Sequence, residues 1–341
     1  MASLKIVVLY DRWEEPDEDA TPADKMPLTR TLDRKEVEDE VADALGKLGH
    51  QATLHCLDGS IRSLHALARM ECDLIFNLAE SFAGNDTADY CIAAYLELLD
   101  KPFTGSGSRG LLYGQEKANA KKILEFHGIH TPVFARSFRG RLDFSHDLEF
   151  PVIVKPARED GSIGIEFNAV VNSIRELMER IDWLHAHFDS PVLIEEYVEG
   201  REMYVGVLGN GTPVPLPVVE LDLSKLPEGT PRIAGAEVKW GQGTRAYRDT
   251  KSAVAENLPE EVSAMLQQTA VAVFQALELR DYARIDMRLR PDGRVAVIEA
   301  NPNPWLASKA EFAMAARKAG RTYTQLIGEI VELALARYAA S

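Results

Sequence analysis

Near its C-terminus the chain reads Arg284-Ile285-Asp286-Met287-Arg288-Leu289, then Pro291-Asp292-Gly293, then Val295-Ala296-Val297-Ile298-Glu299-Ala300-Asn301. Two strand-like runs flank an Asp-Gly pair, the strongest short-range hairpin signal in a sequence. With Asp292-Gly293 as a two-residue loop, Pro291 faces Arg294 and Asp286 falls opposite Glu299. Their Cβ atoms then lie roughly 4.5–5.5 Å apart on one face. Asn301 and Arg284 share that face. Facing carboxylates repel unless a positive charge sits between them. Two carboxylates and an amide oxygen are hard ligands, a set that suits Mg²⁺ carrying substrate phosphates. The hairpin therefore reads as a metal and phosphate site with Asp286, Glu299 and Asn301 as ligands. The alternative is a solvated acidic hairpin edge.

Other segments carry phosphate and nucleotide chemistry. Residues 151–156 form a buried strand pattern that ends in Lys155, and Asp160-Gly161-Ser162-Ile163-Gly164 follows. Backbone N–H groups of such a turn can cradle phosphate oxygens, with Lys155 adding a charge. Ile194-Glu195-Glu196-Tyr197-Val198 reads as a strand edge whose backbone can hydrogen-bond a purine, with Glu202 placed for ribose hydroxyls. An ordinary solvent face is the competing reading for these glutamates. Gly105-Ser106-Gly107-Ser108-Arg109-Gly110 matches G-x-G-x-x-G. The apolar stretch before it is short, and Glu125, at the acidic position, falls in a helical pattern, so a dinucleotide site is set aside. No P-loop pattern occurs.

These residues need a scaffold. At 341 residues the chain exceeds a single ordinary core. Residues 5–9, 52–57 and 72–78 read as strands, with helical patterns over 33–48 and 64–70 between them. That alternation implies a parallel sheet covered by helices. Residues 11–29 are acidic, contain three prolines, and read as a long loop or lid. A helix is expected over 111–127, carrying Lys117, Lys121 and Lys122, and others over 90–99, 173–187, 259–277 and 323–338. A third unit is expected to open with the strand at 192–198. The expected domains are 1–105, 106–191 and 192–341.

Composition excludes some partners. A formal charge of −15 argues against nucleic acid, which needs clustered Lys and Arg. Three cysteines without CxxC spacing favour a reducing compartment and no structural zinc. No signal peptide or stretch of ~20 apolar residues is present, so a cytoplasmic protein without a membrane segment is expected.

In order and kind these pieces resemble the ATP-grasp superfamily, in its D-alanine–D-alanine ligase-like branch. The segments that carry the likeness run from residue 72 to the last helix, and the Arg284-Ile285-Asp286 and Glu299-Ala300-Asn301 pair is the most specific of them. The resemblance implies an α/β (α+β) fold of three units, with an N-terminal parallel-sheet domain before the ATP-grasp lobes. It implies that Lys117, Lys155 and Ser162 bind ATP phosphates, that Glu195, Tyr197 and Val198 surround adenine, and that Glu202 holds ribose. Lys239 matches a lysine on a loop closing over the nucleotide, and Arg284 would face the transferring phosphoryl group. Asp286, Glu299 and Asn301 would bind two Mg²⁺ ions, with Mn²⁺ as a substitute. Residues 240–248 are the expected lid.

The amino-acid half departs from the family. Residues 11–28 replace its first substrate loop, Asn77-Leu78-Ala79-Glu80-Ser81-Phe82 its His-Gly loop, and Trp240 its tyrosine. Gly161 stands where a substrate-side serine is common. Pro302-Asn303-Pro304-Trp305 follows Asn301, and Ser308 is the only nearby serine. The implied activity is ATP-dependent carboxylate–amine ligation through an acyl phosphate, on an amino acid or small peptide other than D-alanine. The alternatives are D-alanine–D-alanine ligation with an unusual pocket, and a ligation-inactive nucleotide-binding regulator. Retained metal ligands speak against the last. A homodimer is compatible with all three.

Overall fold

A computed structural model describes residues 3–12, 37–138, 141–145, 147–159, 161–239, 241 and 244–340. Most of the acidic 11–29 segment lies outside the described residues, as do Asp160, Trp240, Gln242 and Gly243. The first unit holds β1 (Lys5–Asp11), α1 (Val37–Lys47), β2 (Gln51–Leu57), α2 (Ile61–Arg69), β3 (Leu74–Asn77) and α3 (Asp89–Leu98). Its strands run parallel in the order β2-β1-β3, as the alternating pattern predicts. Ser60 caps α2 by accepting the Ser63 N–H, which fixes where that helix starts.

The helix expected over 111–127 is two helices, α4 (Ser108–Gln115) and α5 (Lys117–Phe126). Glu116 breaks them with ψ 78°, and its carboxylate takes Arg158 Nε at 2.6 Å. Gly110 and Gly114 weaken the helix just before the break.

The second sheet contains β4 (Phe134–Phe138), β5 (Arg141–Ser145), β6 (Val152–Pro156), β7 (Val170–Val171) and β8 (Val192–Glu196), with α6 (Ile174–His187) packed on it. Its order is β5-β4-β8-β6-β7. The strand expected to open the third unit is therefore central here. Val192, Leu193 and Ile194 are buried and pair on both sides, which suits a middle strand.

The third sheet is built from β9 (Arg201–Leu208), β10 (Val214–Pro215), β11 (Val219–Asp222), β12 (Lys251–Val254), β13 (Tyr282–Leu289) and β14 (Val295–Asn301). Its order is β12-β11-β9-β13-β14, with β10 paired to β9. Between its strands lie α7 (Ala236–Lys239), α8 (Arg245–Asp249) and α9 (Glu260–Ala276), and α10 (Glu311–Lys318) and α11 (Tyr323–Ala339) close the chain. A capping box of Thr322 and Gln325 starts α11. Ile327, Ile330 and Val331 of that helix share one core with Ile6, Val41 and Leu45, so the end of the chain is packed on its beginning. Helix α5 lies between the other two sheets: Ala118 joins Phe134 and Leu193, while Ala120 and Leu124 join Val205 and Ile285.

Candidate active site

β13 and β14 pair Arg284 with Asn301 and Asp286 with Glu299. The facing carboxylates are as expected, but the register arises differently. The loop has three residues, Pro291 to Gly293, closed by the Arg290 N–H on the Arg294 carbonyl at 2.8 Å. Gly293 takes the left-handed conformation, φ 83°, that a three-residue hairpin loop needs. This loop puts Met287 opposite Val297. Ile298 is then the extra residue of a β-bulge, and pairing resumes at Glu299. Strict alternation would put Val295, Val297, Glu299 and Asn301 on one face. The bulge separates them: Val297 enters the core with Met287, and Glu299 turns to face Asp286.

Each carboxylate has its own cation. Asp286, 4% exposed, accepts Arg284 Nε at 2.8 Å and Nη2 at 3.0 Å. Glu299 meets Lys117 Nζ at 2.8 Å. Burial pushes the Asp286 carboxyl up to about 6, against the opposing pull of Arg284 and Lys239. Asn301 Nδ2 reaches the Arg284 carbonyl at 3.4 Å, which leaves its Oδ1 as the atom to offer a metal. Two carboxylates and an amide on one hairpin face fit a hard divalent cation. Among the described residues no group of three or more His, Cys, Asp or Glu is placed to hold a metal ion by itself. Phosphate and water would complete the coordination, the usual pattern for Mg²⁺.

Arg284 lies over the Tyr204 ring at 5.1 Å. Glu311, at the start of α10, accepts Ser252 Oγ at 2.8 Å. Burial raises its carboxyl, but Arg284 and Lys239 help to hold it below the ordinary value. Lys239, the last residue of α7, thus faces the same acidic patch as Arg284.

Among the residues expected to bind nucleotide, Lys155 Nζ meets Glu195 Oε2 at 2.5 Å, and Lys121 Nζ meets Glu195 Oε1 at 2.8 Å. Ile153 pairs with Glu195, so Lys155 is its diagonal neighbour on the same face. Glu195 is 1% exposed, which removes the solvent-face reading for it. Burial alone would raise its carboxyl, but the two lysines outweigh that and hold it low. Glu202 is buried too, paired with Arg288 at 2.7 Å. The Tyr197 hydroxyl accepts the Arg232 N–H at 2.9 Å, and Val198 is buried beside it in sequence. Lys121 is the residue that sequence reasoning places on the helix without a role. Its spacing of four from Lys117 is the available signal, since it puts both lysines on one helical face.

The glycine loop is fastened to the segment before Lys239. Ser162, at φ 63°, donates Oγ to the Ala234 carbonyl at 2.8 Å. The Ala236 N–H donates to the Ile165 carbonyl at 2.8 Å, and Glu237 Oε1 accepts the Phe167 N–H at 2.9 Å. The expected lid is not all loop: Thr244 caps α8, and Arg245 pairs with Asp249 one turn on at 3.0 Å.

Two clefts lie at the end of the hairpin and the segment that follows it. One, of about 430 Å³, is lined by Lys117, Glu299, Asn301 and Glu80. The other, of about 370 Å³, is lined by Tyr10, Glu38, Trp305 and again Glu80. Asn303 lines both, held by the Tyr282 hydroxyl at 2.9 Å. Ser308 is taken within the chain: its N–H and Oγ donate to Glu40 at 2.7 and 2.8 Å.

A parallel-sheet domain followed by two lobes, with the hairpin and a glycine loop converging, defines the ATP-grasp class of fold. The family model for the D-ala D-ala ligase C-terminus matches residues 133–332. The D-alanine–D-alanine ligase of Aquifex aeolicus is 31% identical over 293 residues, covering 85% of this chain and 92% of that protein. An uncharacterized protein of Sinorhizobium fredii, y4sG, is 33% identical over 310 residues, covering 89% of this chain and 88% of the relative. The structure of Bacillus anthracis D-alanine–D-alanine ligase complexed with ATP superposes with a TM-score of 0.75 at 23% identity, covering 99% of this chain and 100% of that one. The chain belongs to the D-alanine–D-alanine ligase family.

Proposed function

We propose that this protein is an ATP-dependent, ADP-forming ligase that joins a carboxylate to an amine, on an amino acid or small peptide other than D-alanine. The observation that carries the reading is the hairpin: Asp286 and Glu299 face each other, with Arg284 and Lys117 beside them. A carboxylate is a poor acylating agent, and transfer of phosphate from ATP makes it an acyl phosphate that an amine can attack. Phosphoryl transfer needs positioning and charge neutralisation more than covalent help. Arg284, Lys117 and Lys239 supply positive charge, and Lys155 serves the nucleotide end. Asp286, Glu299 and Asn301 would hold Mg²⁺, in our reading two ions with Mn²⁺ as a substitute, to polarise phosphate oxygens. Glu195, Tyr197 and Val198 flank adenine, Glu202 serves ribose, and Ser162 closes over the phosphates. The acyl phosphate must be kept from water, which is the role of the glycine loop and the 234–248 segment.

The substrate reading rests on the clefts. Trp305 lines the cleft formed with Tyr10 and Glu38, and Ser308 is committed to Glu40. Neither side chain is arranged to receive the carboxylate of a second small amino acid. The remaining expectations are small-molecule substrates without nucleic acid or membrane, a cytoplasmic site supported by three free cysteines, and a homodimer. We place the lobe boundary after Glu196, because β8 pairs inside the second sheet.

ADP release measured across amino acids and dipeptides with Mg²⁺ tests the proposal. The expected result is a best pair far above D-alanine. Robust D-alanyl-D-alanine formation, equal to the best pair, would restore the D-alanine reading, and no ADP release with any pair would sink ligation.

A further inference from the structure

Lys121 is a buried charge to which the ligation chemistry assigns no work. It stands one turn after Lys117 on α5, so both lysines leave one face of the helix. Lys117 reaches the hairpin, and Lys121 reaches Glu195 of β8. Lys121, Glu195 and Lys155 are 2%, 1% and 4% exposed. Two ammonium groups share a single carboxylate, so the cluster holds one surplus positive charge away from water. Lys121 Nζ lies at ion-pair distance from Glu195 but off the hydrogen-bonding direction, so its charge is incompletely satisfied. A buried surplus charge weakens a fold. Its presence next to a strand end and a glycine loop points to a ligand that brings negative charge.

We infer that Lys121 is a positioning residue of the nucleotide site, one that draws on Glu195 so that Lys155 keeps a net positive field for the polyphosphate. The inference rests on the nucleotide reading above. With Lys121 present, Glu195 divides its charge between two lysines. Without it, Glu195 and Lys155 form a neutral pair, and the attraction for phosphate falls. Glu299 is the other nearby carboxylate, and it is already committed to Lys117. Burial lowers the affinity of Lys121 for its proton, and Glu195 opposes that fall.

Calorimetry on the full chain with Mg²⁺ separates a charge role from a packing role. Lys121→Met keeps the apolar stem and removes the charge. Its dissociation constants for ATP and ADP should rise about tenfold, as expected for one unit charge at a low-dielectric site, while that for adenosine should change less than about twofold. Thermal melting should not fall, because the surplus charge is gone. Lys121→Gln, which keeps a polar tip, should give the same ordering and covers the case in which the Met variant misfolds. Unchanged ATP affinity, or equal weakening for adenosine and ATP, overturns the inference. Wild-type protein that binds none of the three overturns the nucleotide reading itself, and this inference with it.

Discussion

Asp286 and Glu299 are each held by a basic side chain, which explains how two facing carboxylates coexist on a hairpin before any metal arrives. In the proposed ligase, a metal held by both carboxylates would let Arg284 and Lys117 meet phosphate oxygens. Asp286→Ala or Glu299→Ala should therefore lower kcat by about 10²–10³ or more, the loss typical of one electrostatic stabiliser. Steady-state ADP release checks this, and near-normal turnover in either variant would refute the hairpin assignment. Metal-free stability gives a second test. The folded Asp286 carboxyl titrates at about 6, above its ordinary 3.8, so the folded state binds this proton more tightly than the unfolded state. Stability should fall as pH rises through that interval. In chelator at pH 7.5, Asp286→Asn should gain roughly 1–3 kcal/mol, because each pH unit between the folded and unfolded titrations is worth about 1.4 kcal/mol. At pH 4 the gain should vanish, since Asp286 is then neutral in the folded protein. Denaturant melts at both pH values decide it.

At the level of elements, the close fit of α4 to the end of β14 is sensitive to mutation. A Cβ on Gly114 would lie 2.5 Å from Pro302 Cγ and 3.2 Å from the Ala300 carbonyl. Gly114→Ala should push the helix off this segment at a cost of about 1–3 kcal/mol, as overpacking does. Asn301 lies between those two contacts, so the variant should also need more Mg²⁺ for half-maximal ADP release. An unchanged Mg²⁺ requirement would show that the segment yields elsewhere. The same elements show what a sequence discloses. The Asp-Gly turn and the residue types of Asp286, Glu299 and Asn301 are enough to find the hairpin and its pairing. The loop is one residue longer than the Asp-Gly pair suggests, because Pro291 joins the turn and a bulge at Ile298 compensates. A signal for it exists: Val295 and Val297 cannot share a face with Glu299 and Asn301 if one face is core and the other is a site. The place of β8 and the partners of Glu195 and Glu202 are not legible. They depend on which strands meet across long stretches of chain, and local pattern does not encode that.

Across the whole molecule, Asp281 ties the first unit to the last. It is fully buried at φ 62°, accepts the Gly105 N–H at 2.8 Å and Asn210 Nδ2 at 3.0 Å, and pairs with Arg337 of α11 at 2.9 Å. This explains the G-x-G-x-x-G run: its first glycine is a structural joint. Asp281→Ala would take the carboxylate from Arg337, which keeps the Phe103 carbonyl, and should cost about 3–5 kcal/mol, the loss expected when one partner of a buried pair is removed. A denaturant midpoint within error of wild type would show that the joint is carried by other contacts.

The two lobes are held together at two margins, helix α5 and the glycine-loop fastening. On the α5 margin, Ala118, Ala120 and Leu124 pack into the cores of both sheets, and Lys117 and Lys121 add one ion pair to each. On the other margin, three hydrogen bonds hold residues 162–167 to 234–237, each worth about 0.5–1.5 kcal/mol net. The molecule is therefore bound like a book, with α5 as its spine and the fastening as its fore-edge. In the proposed ligase, nucleotide would enter and leave by the fore-edge, and amide exchange faster at residues 162–167 than along α5 is the expected sign.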